Sequence, residues 1–366
     1  MADMTDIRNR FRGCLIGGAV GDALGAPVEF ISHDEIVRCF GSQGIRDYVP
    51  AYGVLGAITD DTQMTLFTAE GLLRANVRER MRGLTTYSGV TDHSYLRWLE
   101  TQGIKAPVEI GRDGWLWKQE ALHHRRAPGN TCLSALKSKK SFGDAARNDS
   151  KGCGGVMRVA PVGMFGWHYR DRDGAAEEVF NLASEIAGLT HGHPSGKWPA
   201  GVLAVLVLRG LEGIPLKESL PEAKAILRTR QRHEETLNAI EAAETLAALG
   251  QPATVPQIEK LGGGWVAEEA LAIGLYCALV AENFEQGIHL AVNHGGDSDS
   301  TGSIAGNLLG ALLGEDAIPA RWSTSLELAD VIREVADDLY DHPNWPIGEY
   351  AESEESERIL ERYPGG

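Results

Sequence analysis

Glycine recurs at every fourth position in two distant stretches of this chain, at 13, 17, 21 and 25 and again at 302, 306, 310 and 314. A four-residue step keeps positions on one face of a helix, so each stretch reads as a helix with one stripe bare of side chains. Glycine inside a helix costs about 0.5–1 kcal/mol against alanine, a penalty that something must offset. Close backbone approach is the offset. In a membrane this spacing would signal helix dimerisation, but neither stretch is long or apolar enough to span a bilayer. The expectation is two central helices packed tightly in a soluble core, the first ended by Pro27.

The second ladder is entered through Asn293, His294, Gly295, Gly296, Asp297, Ser298, Asp299, Ser300 and Thr301. Two carboxylates followed by hydroxyls offer only hard oxygen ligands, which suit Mg²⁺, Mn²⁺ or Ca²⁺ rather than zinc. Side chains two apart do not face each other on a regular helix, so Asp297 and Asp299 can share an ion only where the backbone turns. Asp297, Asp299, Thr301 and Gly302 match the first, third, fifth and sixth positions of a calcium loop. Its twelfth position needs a bidentate glutamate and here is Leu308, which excludes that loop. Capping of the following helix, without a metal, accounts for the same residues.

A second acidic helix start stands at Thr59, Asp60 and Asp61, ahead of an amphipathic run. Neighbours on a helix point about 100° apart, so Asp60 and Asp61 can serve two ions or flank one cluster. Acids that complement the helix dipole give the same pattern.

Helical periodicity recurs at 93–101, 115–124, 175–189, 200–211, 234–249, 266–282 and 326–339, and alternating strand patterns are scarce. An all-α fold follows. Several runs end at glycine, at 103, 250 and 314. Residues 31–56 read as a long loop and lid, and the acidic end, 350–366, as a surface helix with a frayed terminus. The whole chain, 1–366, is expected to form a single domain with its core at about 8–345.

Fifty-one acidic against 35 basic residues argue against a nucleic-acid or membrane-surface binder. Five cysteines without a CxxC pair indicate neither a disulfide framework nor a zinc site, and the polar N-terminus carries no signal-peptide core. A reduced, cytoplasmic setting is expected, with a monomer as the default. Residues 118–151 reverse the overall charge, with eight Lys and Arg against three Asp and Glu. Beyond them lies the glycine-rich turn Gly152, Cys153, Gly154, Gly155, Val156, Met157. Such a turn can present amides to a phosphate, or be a plain tight turn beside a basic face. His191 and His193 lack further nitrogen or sulfur ligands nearby, so a ligand contact or a helix cap is expected of them rather than zinc.

Taken in order, GCLIGGAVGDALGAPVEF, TDDTQM, RAPGNTCLSAL, GCGGVMRVAP, THGHPSG, GWVAEEALA and NHGGDSDSTGSIAGNLLGALLG resemble the ADP-ribosylglycohydrolase family over most of the chain. That family includes ADP-ribosylarginine hydrolases and the glycohydrolase that reactivates dinitrogenase reductase. The resemblance implies a compact orthogonal helical bundle with a cleft for two Mg²⁺ or Mn²⁺ ions. Their ligands would be Thr59, Asp60, Asp61, Asp297, Asp299 and Ser300. Glu29 matches a mobile glutamate that can approach a metal, and with Asp61 it is the candidate for proton transfer. Gly152, Gly154, Gly155 and Met157 match the loop around the diphosphate, His191 a residue lining the ADP-ribose pocket, and Trp265 an aromatic position near the nucleotide.

The implied reaction is hydrolysis of the N-glycosidic bond between ADP-ribose and a protein arginine. The serine after the second aspartate, Ser300, is similar to arginine-specific members. Two other readings stay open: an immunity protein that occludes an ADP-ribosyltransferase toxin, and a hydrolase of ADP-ribosyl-serine or a small ADP-ribosyl metabolite. Lys151 and Cys153 depart from the family's glycine loop, and residues 31–52 hold no recognisable substrate motif. The charge of the five carboxylates agrees with two ions, because one divalent ion would leave three negative charges uncompensated in a partly dry cleft.

Overall fold

The computed structural model describes residues 4–348 and 353–365. Among these the chain is all-α, and extended pairing is limited to two isolated bridges. In chain order the helices are α1 (Met4–Gly25), α2 (His33–Phe40), α3 (Asp60–Arg82), α4 (Tyr87–Thr101), α5 (Asn130–Lys137), α6 (Ala160–Gly166), α7 (Ala175–Gly188), α8 (Trp198–Leu211) and α9 (Leu216–Arg228). There follow α10 (Glu234–Ala248), α11 (Val255–Ile258), α12 (Ala267–Val280), α13 (Phe284–Val292), α14 (Ser298–Leu313), α15 (Ala320–Ser323), α16 (Ala329–Asp341) and α17 (Glu354–Arg362). No described helix is long and apolar enough to cross a membrane.

The two glycine ladders lie on α1 and α14, which run antiparallel with their backbones touching. A Cβ placed on Gly17 would lie 2.5 Å from the Gly306 carbonyl oxygen, on Gly21 2.0 Å from that of Gly302, and on Gly25 2.3 Å from that of Ser298. From the other side, a Cβ on Gly310 would lie 1.8 Å from the Gly13 oxygen. No side chain fits between helices this close, so dispersion contact along two bare backbones offsets the low helix propensity of glycine. α12 and α13 pack on α14, α16 packs on α1, and α8 lies against both. α8 is buried nearly all round, as its uniformly apolar sequence requires.

The structure corrects several boundaries. The expected loop 31–56 contains α2, nucleated by a capping box in which the Ser32 hydroxyl accepts from the Glu35 amide and the Glu35 carboxylate accepts from the Ser32 amide. The expected helix 115–124 is two 3₁₀ turns, Leu116–Lys118 and Glu120–Leu122, split by extended Gln119. Tertiary capture overrides periodicity there: the Trp115 amide donates to the Arg362 carbonyl at 3.1 Å, and the Arg362 guanidinium lies 3.6 Å from the Trp115 ring centre. The run expected at 326–339 begins only at Ala329, because Leu328 has φ +58°. The C-terminal stretch does not fray within the described residues. Ile359 and Tyr363 are buried, and the Pro364 carbonyl accepts from Arg74 Nε at 2.9 Å. Part of that stretch, residues 349–352 and 366, lies outside the described residues.

Candidate active site

The N-terminus of α3 is tied to α1 by one buried carboxylate. Asp22 accepts from the Thr59 amide at 3.0 Å, the Thr59 hydroxyl at 2.8 Å, the Thr62 amide at 3.1 Å and the Thr62 hydroxyl at 2.5 Å. It thereby caps a helix from a different helix, satisfying amides that have no partner within the first turn. Sequence reasoning missed Asp22, although it is the only charged residue between Gly13 and Val28. Thr59 is the N-cap, its hydroxyl accepting from the Asp61 amide at 3.3 Å. At α14, Asp297 is the N-cap and accepts from the Ser300 amide at 3.3 Å, while the Asp299 carboxylate accepts from that same amide at 2.9 Å. Because the glycine seam joins α1 to α14 and Asp22 joins α1 to α3, two helix starts far apart in sequence deliver carboxylates to one place.

Glu29, Asp297 and Asp299 each offer an oxygen within 4.8 Å of the others. Asp60 and Asp61 are outside that tight trio, but the charge of Asp299 acts on both. Burial first, and then mutual repulsion, drives these acids upward: Glu29 is pushed up to about 11, Asp60, Asp61 and Asp299 well above the usual carboxylate range, and Asp22 to about 7. Burial also raises Asp297, against hydrogen bonds that lower it. Glu29 Oε2 and Asp61 Oδ2 are buried without a hydrogen-bond partner. Among the described residues no lysine or arginine forms an ion pair with any of these six. A donor set made only of carboxylate and hydroxyl oxygens, short of positive charge and holding orphaned oxygens, fits hard divalent cations.

This electrostatic arrangement has a measurable consequence. Carboxyls whose pKa rises on folding contribute stability below their unfolded pKa, near 4, and lose it as pH rises through the folded value. In metal-free buffer the melting temperature should therefore fall between about pH 5 and pH 8. Mg²⁺ or Mn²⁺ should raise it, and more at pH 8 than at pH 5. At a hundredfold excess over Kd, binding adds about 2.7 kcal/mol, roughly 3–4 °C for a chain this long. A calorimetric scan with EDTA and with Mn²⁺ at both pH values measures it.

One wall of the cleft is a pair of joined loops. Gly152 bridges Val266, the Cys153 amide donates to the Trp265 carbonyl at 3.3 Å, and the Ala267 amide donates to the Lys151 carbonyl at 2.8 Å. The same loop holds the backbone at the start of α14, since the Asp297 amide donates to the Gly263 carbonyl at 2.8 Å. Cys153 points inward, its thiol donating to Asp297 Oδ2 at 2.8 Å. Met157 is buried beside Ser300, whose hydroxyl lies 3.9 Å from Met157 Sδ. Trp265 stacks on Phe30, with ring centres 5.4 Å apart and planes at 22°, and Phe30 directly follows Glu29 with φ +66°. Two exposed, stacked aromatic rings thus adjoin the glutamate. Tyr52, a second residue missed in the sequence, has its phenol pushed up by burial and then by Glu29 and Asp299.

His191 lies beneath the glycine turn and is buried. A Cβ on Gly154 would lie 3.2 Å from its ring, and its Nδ1 pairs with the Thr190 hydroxyl at 2.8 Å. Burial and the nearby Arg158 guanidinium push its pKa down to about 3, so the imidazole is neutral. It supports the turn from below. His193 caps the next 3₁₀ turn by accepting from the Ser195 amide at 3.0 Å, the capping role expected from its position.

The wider comparison agrees with this geometry. A family model described as ADP-ribosylglycohydrolase matches residues 3–346. The chain is 27% identical to the ADP-ribosyl-(dinitrogen reductase) glycohydrolase of Rhodospirillum rubrum, over 88% of this chain and 92% of that protein. It is 25% identical to an ADP-ribosylarginine hydrolase of Pseudomonas putida, over 91% of this chain and 78% of that protein. A solved structure named ADP-ribosylglycohydrolase-related protein complex superposes with a TM-score of 0.67 at 28% identity, covering 93% of this chain and 99% of its own. With its helical fold, its two acidic helix starts and this match along nearly its whole length, the chain belongs to the ADP-ribosylglycohydrolase family and is a glycohydrolase enzyme.

Proposed function

We propose that the enzyme releases ADP-ribose from modified protein arginine, with Thr59, Asp60, Asp61, Asp297, Asp299 and Ser300 holding two Mg²⁺ or Mn²⁺ ions. The observation that carries this reading is the convergence of Glu29, Asp297 and Asp299 within 4.8 Å, with Asp60 and Asp61 nearby and no cationic side chain among them. When bound, such ions supply Lewis-acid binding of vicinal ribose hydroxyls and a water, and neutralise the carboxylates.

The residues of the chain do the rest. Gly152, Gly154 and Gly155, with Met157 behind them, shape the turn that receives the diphosphate, and neutral His191 keeps that turn rigid. The Phe30 and Trp265 rings shield the cleft from water beside the nucleotide. Glu29 Oε2 and Asp61 Oδ2, the two orphaned carboxylate oxygens, are the positions that can take a proton from the attacking water. As the anomeric carbon–nitrogen bond breaks, the guanidinium of the substrate leaves as neutral guanidine. The proton held by the carboxyl then returns it to its cationic form. The likeness to the arginine hydrolase of P. putida is the support for arginine over serine.

Release of ADP-ribose from arginine-, serine- and glutamate-linked peptides, each with and without Mg²⁺, tests the proposal. Mg²⁺-dependent release from the arginine-linked peptide alone is expected. Release confined to the serine-linked peptide would overturn the acceptor assignment while leaving the site intact.

A further inference from the structure

We infer that the ion pair between Arg126 and Glu327, which lies outside the cleft, positions Asp60 for metal binding. This inference rests on the reading of Asp60 as a ligand. Arg126 is 3% exposed and Glu327 11%. The guanidinium grips the carboxylate with both terminal nitrogens, Nη2 donating to Oε1 at 2.8 Å and Nη1 to Oε2. Each partner also holds the backbone just before α3. Arg126 Nη1 donates to the Ile58 carbonyl at 2.8 Å, Glu327 Oε2 accepts from the Ile58 amide at 3.1 Å, and the Glu327 amide donates to the Gly56 carbonyl at 3.0 Å. Both sides of Ile58 are therefore clamped, two residues ahead of Asp60.

The arginine's own strand of chain reaches Asp60 directly. The Arg126 carbonyl accepts from the Asp60 amide at 3.3 Å, and the Gly129 amide donates to Asp60 Oδ2 at 3.3 Å. One carboxylate oxygen of Asp60 is thus held by the turn that Arg126 anchors, which leaves the other for an ion. Two residues adjoining the pair, Ala127 and Leu328, sit in left-handed backbone at φ +50° and +58°. Residues with a Cβ persist there only where the surroundings over-determine them, and the bidentate pair is what joins the two segments. Tyr52, at φ +51°, covers the guanidinium with its ring centre 5.9 Å away. A buried pair of this kind is a weak source of stability, and its removal costs chiefly through the charge left unpaired. Its value here is geometric: Glu327 belongs to the segment leading into α16, so the start of that helix is coupled to a metal-site carboxylate without touching it.

Mn²⁺ binding to the full chain, followed by electron paramagnetic resonance and titration calorimetry, tests this. Glu327→Gln should weaken Mn²⁺ binding roughly tenfold, the lower end of the range for groups that orient a ligand. Arg126→Lys, which keeps the charge but loses the fork, should weaken it less and serves if Glu327→Gln does not fold. Glu222→Gln, which breaks the equally bidentate pair with Arg209, should leave Mn²⁺ binding unchanged and so separates positioning from general loss of ion pairs. If Asp60→Asn loses Mn²⁺ but Glu327→Gln and Arg126→Lys both stay within about twofold of wild type, the positioning role is wrong and the metal site stands. If Asp60→Asn binds Mn²⁺ as wild type does, the ligand assignment fails and the inference falls with it.

Discussion

Replacing Asp60 or Asp297 with asparagine should lower ADP-ribose release by more than about a hundredfold, the upper end of what is lost when a group that merely orients a ligand is removed. The same substitutions should raise the melting temperature in EDTA at pH 8. The two effects share one cause. Both acids are buried in a cluster in which Asp299 repels Asp60 and Asp297 repels Asp299, and deleting one negative charge relieves the cluster while removing a proposed ligand. A purely structural carboxylate would show the opposite sign in the melting experiment, because its loss would leave donors unsatisfied. Initial rates on an arginine-linked substrate and scanning calorimetry on the same samples therefore discriminate between the two roles.

A single methyl group in the α1–α14 seam should damage the fold itself. For Gly306→Ala the new Cβ would lie 2.0 Å from the Gly17 oxygen and 2.5 Å from the Gly17 carbonyl carbon, both backbone atoms. No rotamer change relieves such an overlap, and the helices must separate along the whole stripe. A cost of about 3 kcal/mol or more is expected, at the upper end for overpacking, with a fall in melting temperature of roughly 4 °C or more. Gly348→Ala, where nothing lies within 4 Å, should be near neutral. Urea denaturation of the two variants gives the difference. Metal affinity should weaken along with stability in the seam variant, since the half-sites ride on the separated helices.

What the sequence disclosed and what it concealed divide along physical lines. Features carried by local spacing were legible: the glycine stripes foretold backbone contact, and acids at two helix starts foretold a carboxylate cluster. Features created by distant partners were not. Asp22 becomes a cap only because Thr59 and Thr62 arrive 37 and 40 residues later. The segment 115–124 has helical periodicity, yet Arg362 captures its first residue and the ladder breaks. Arg126 stood in a recognised motif, but its partner Glu327 lies 201 residues away in a segment read simply as helical. His193 was legible as a cap because its partner, the Ser195 amide, lies only two residues away.

The glycine stripe also poses a problem of register. A slide of α1 along α14 by four residues would again set glycine against glycine, at a displacement of about 6 Å, and would carry the two acidic starts out of reach of a common ion. The stripe cannot distinguish the two alignments. Asn307 can: its Nδ2 donates to the Cys14 carbonyl at 2.8 Å, and its amide fills the space above Gly18, where a Cβ would lie 2.1 Å from that nitrogen. One off-stripe amide thus acts as the index mark on an otherwise repeating scale, and the spacing between the two acidic helix starts depends on it.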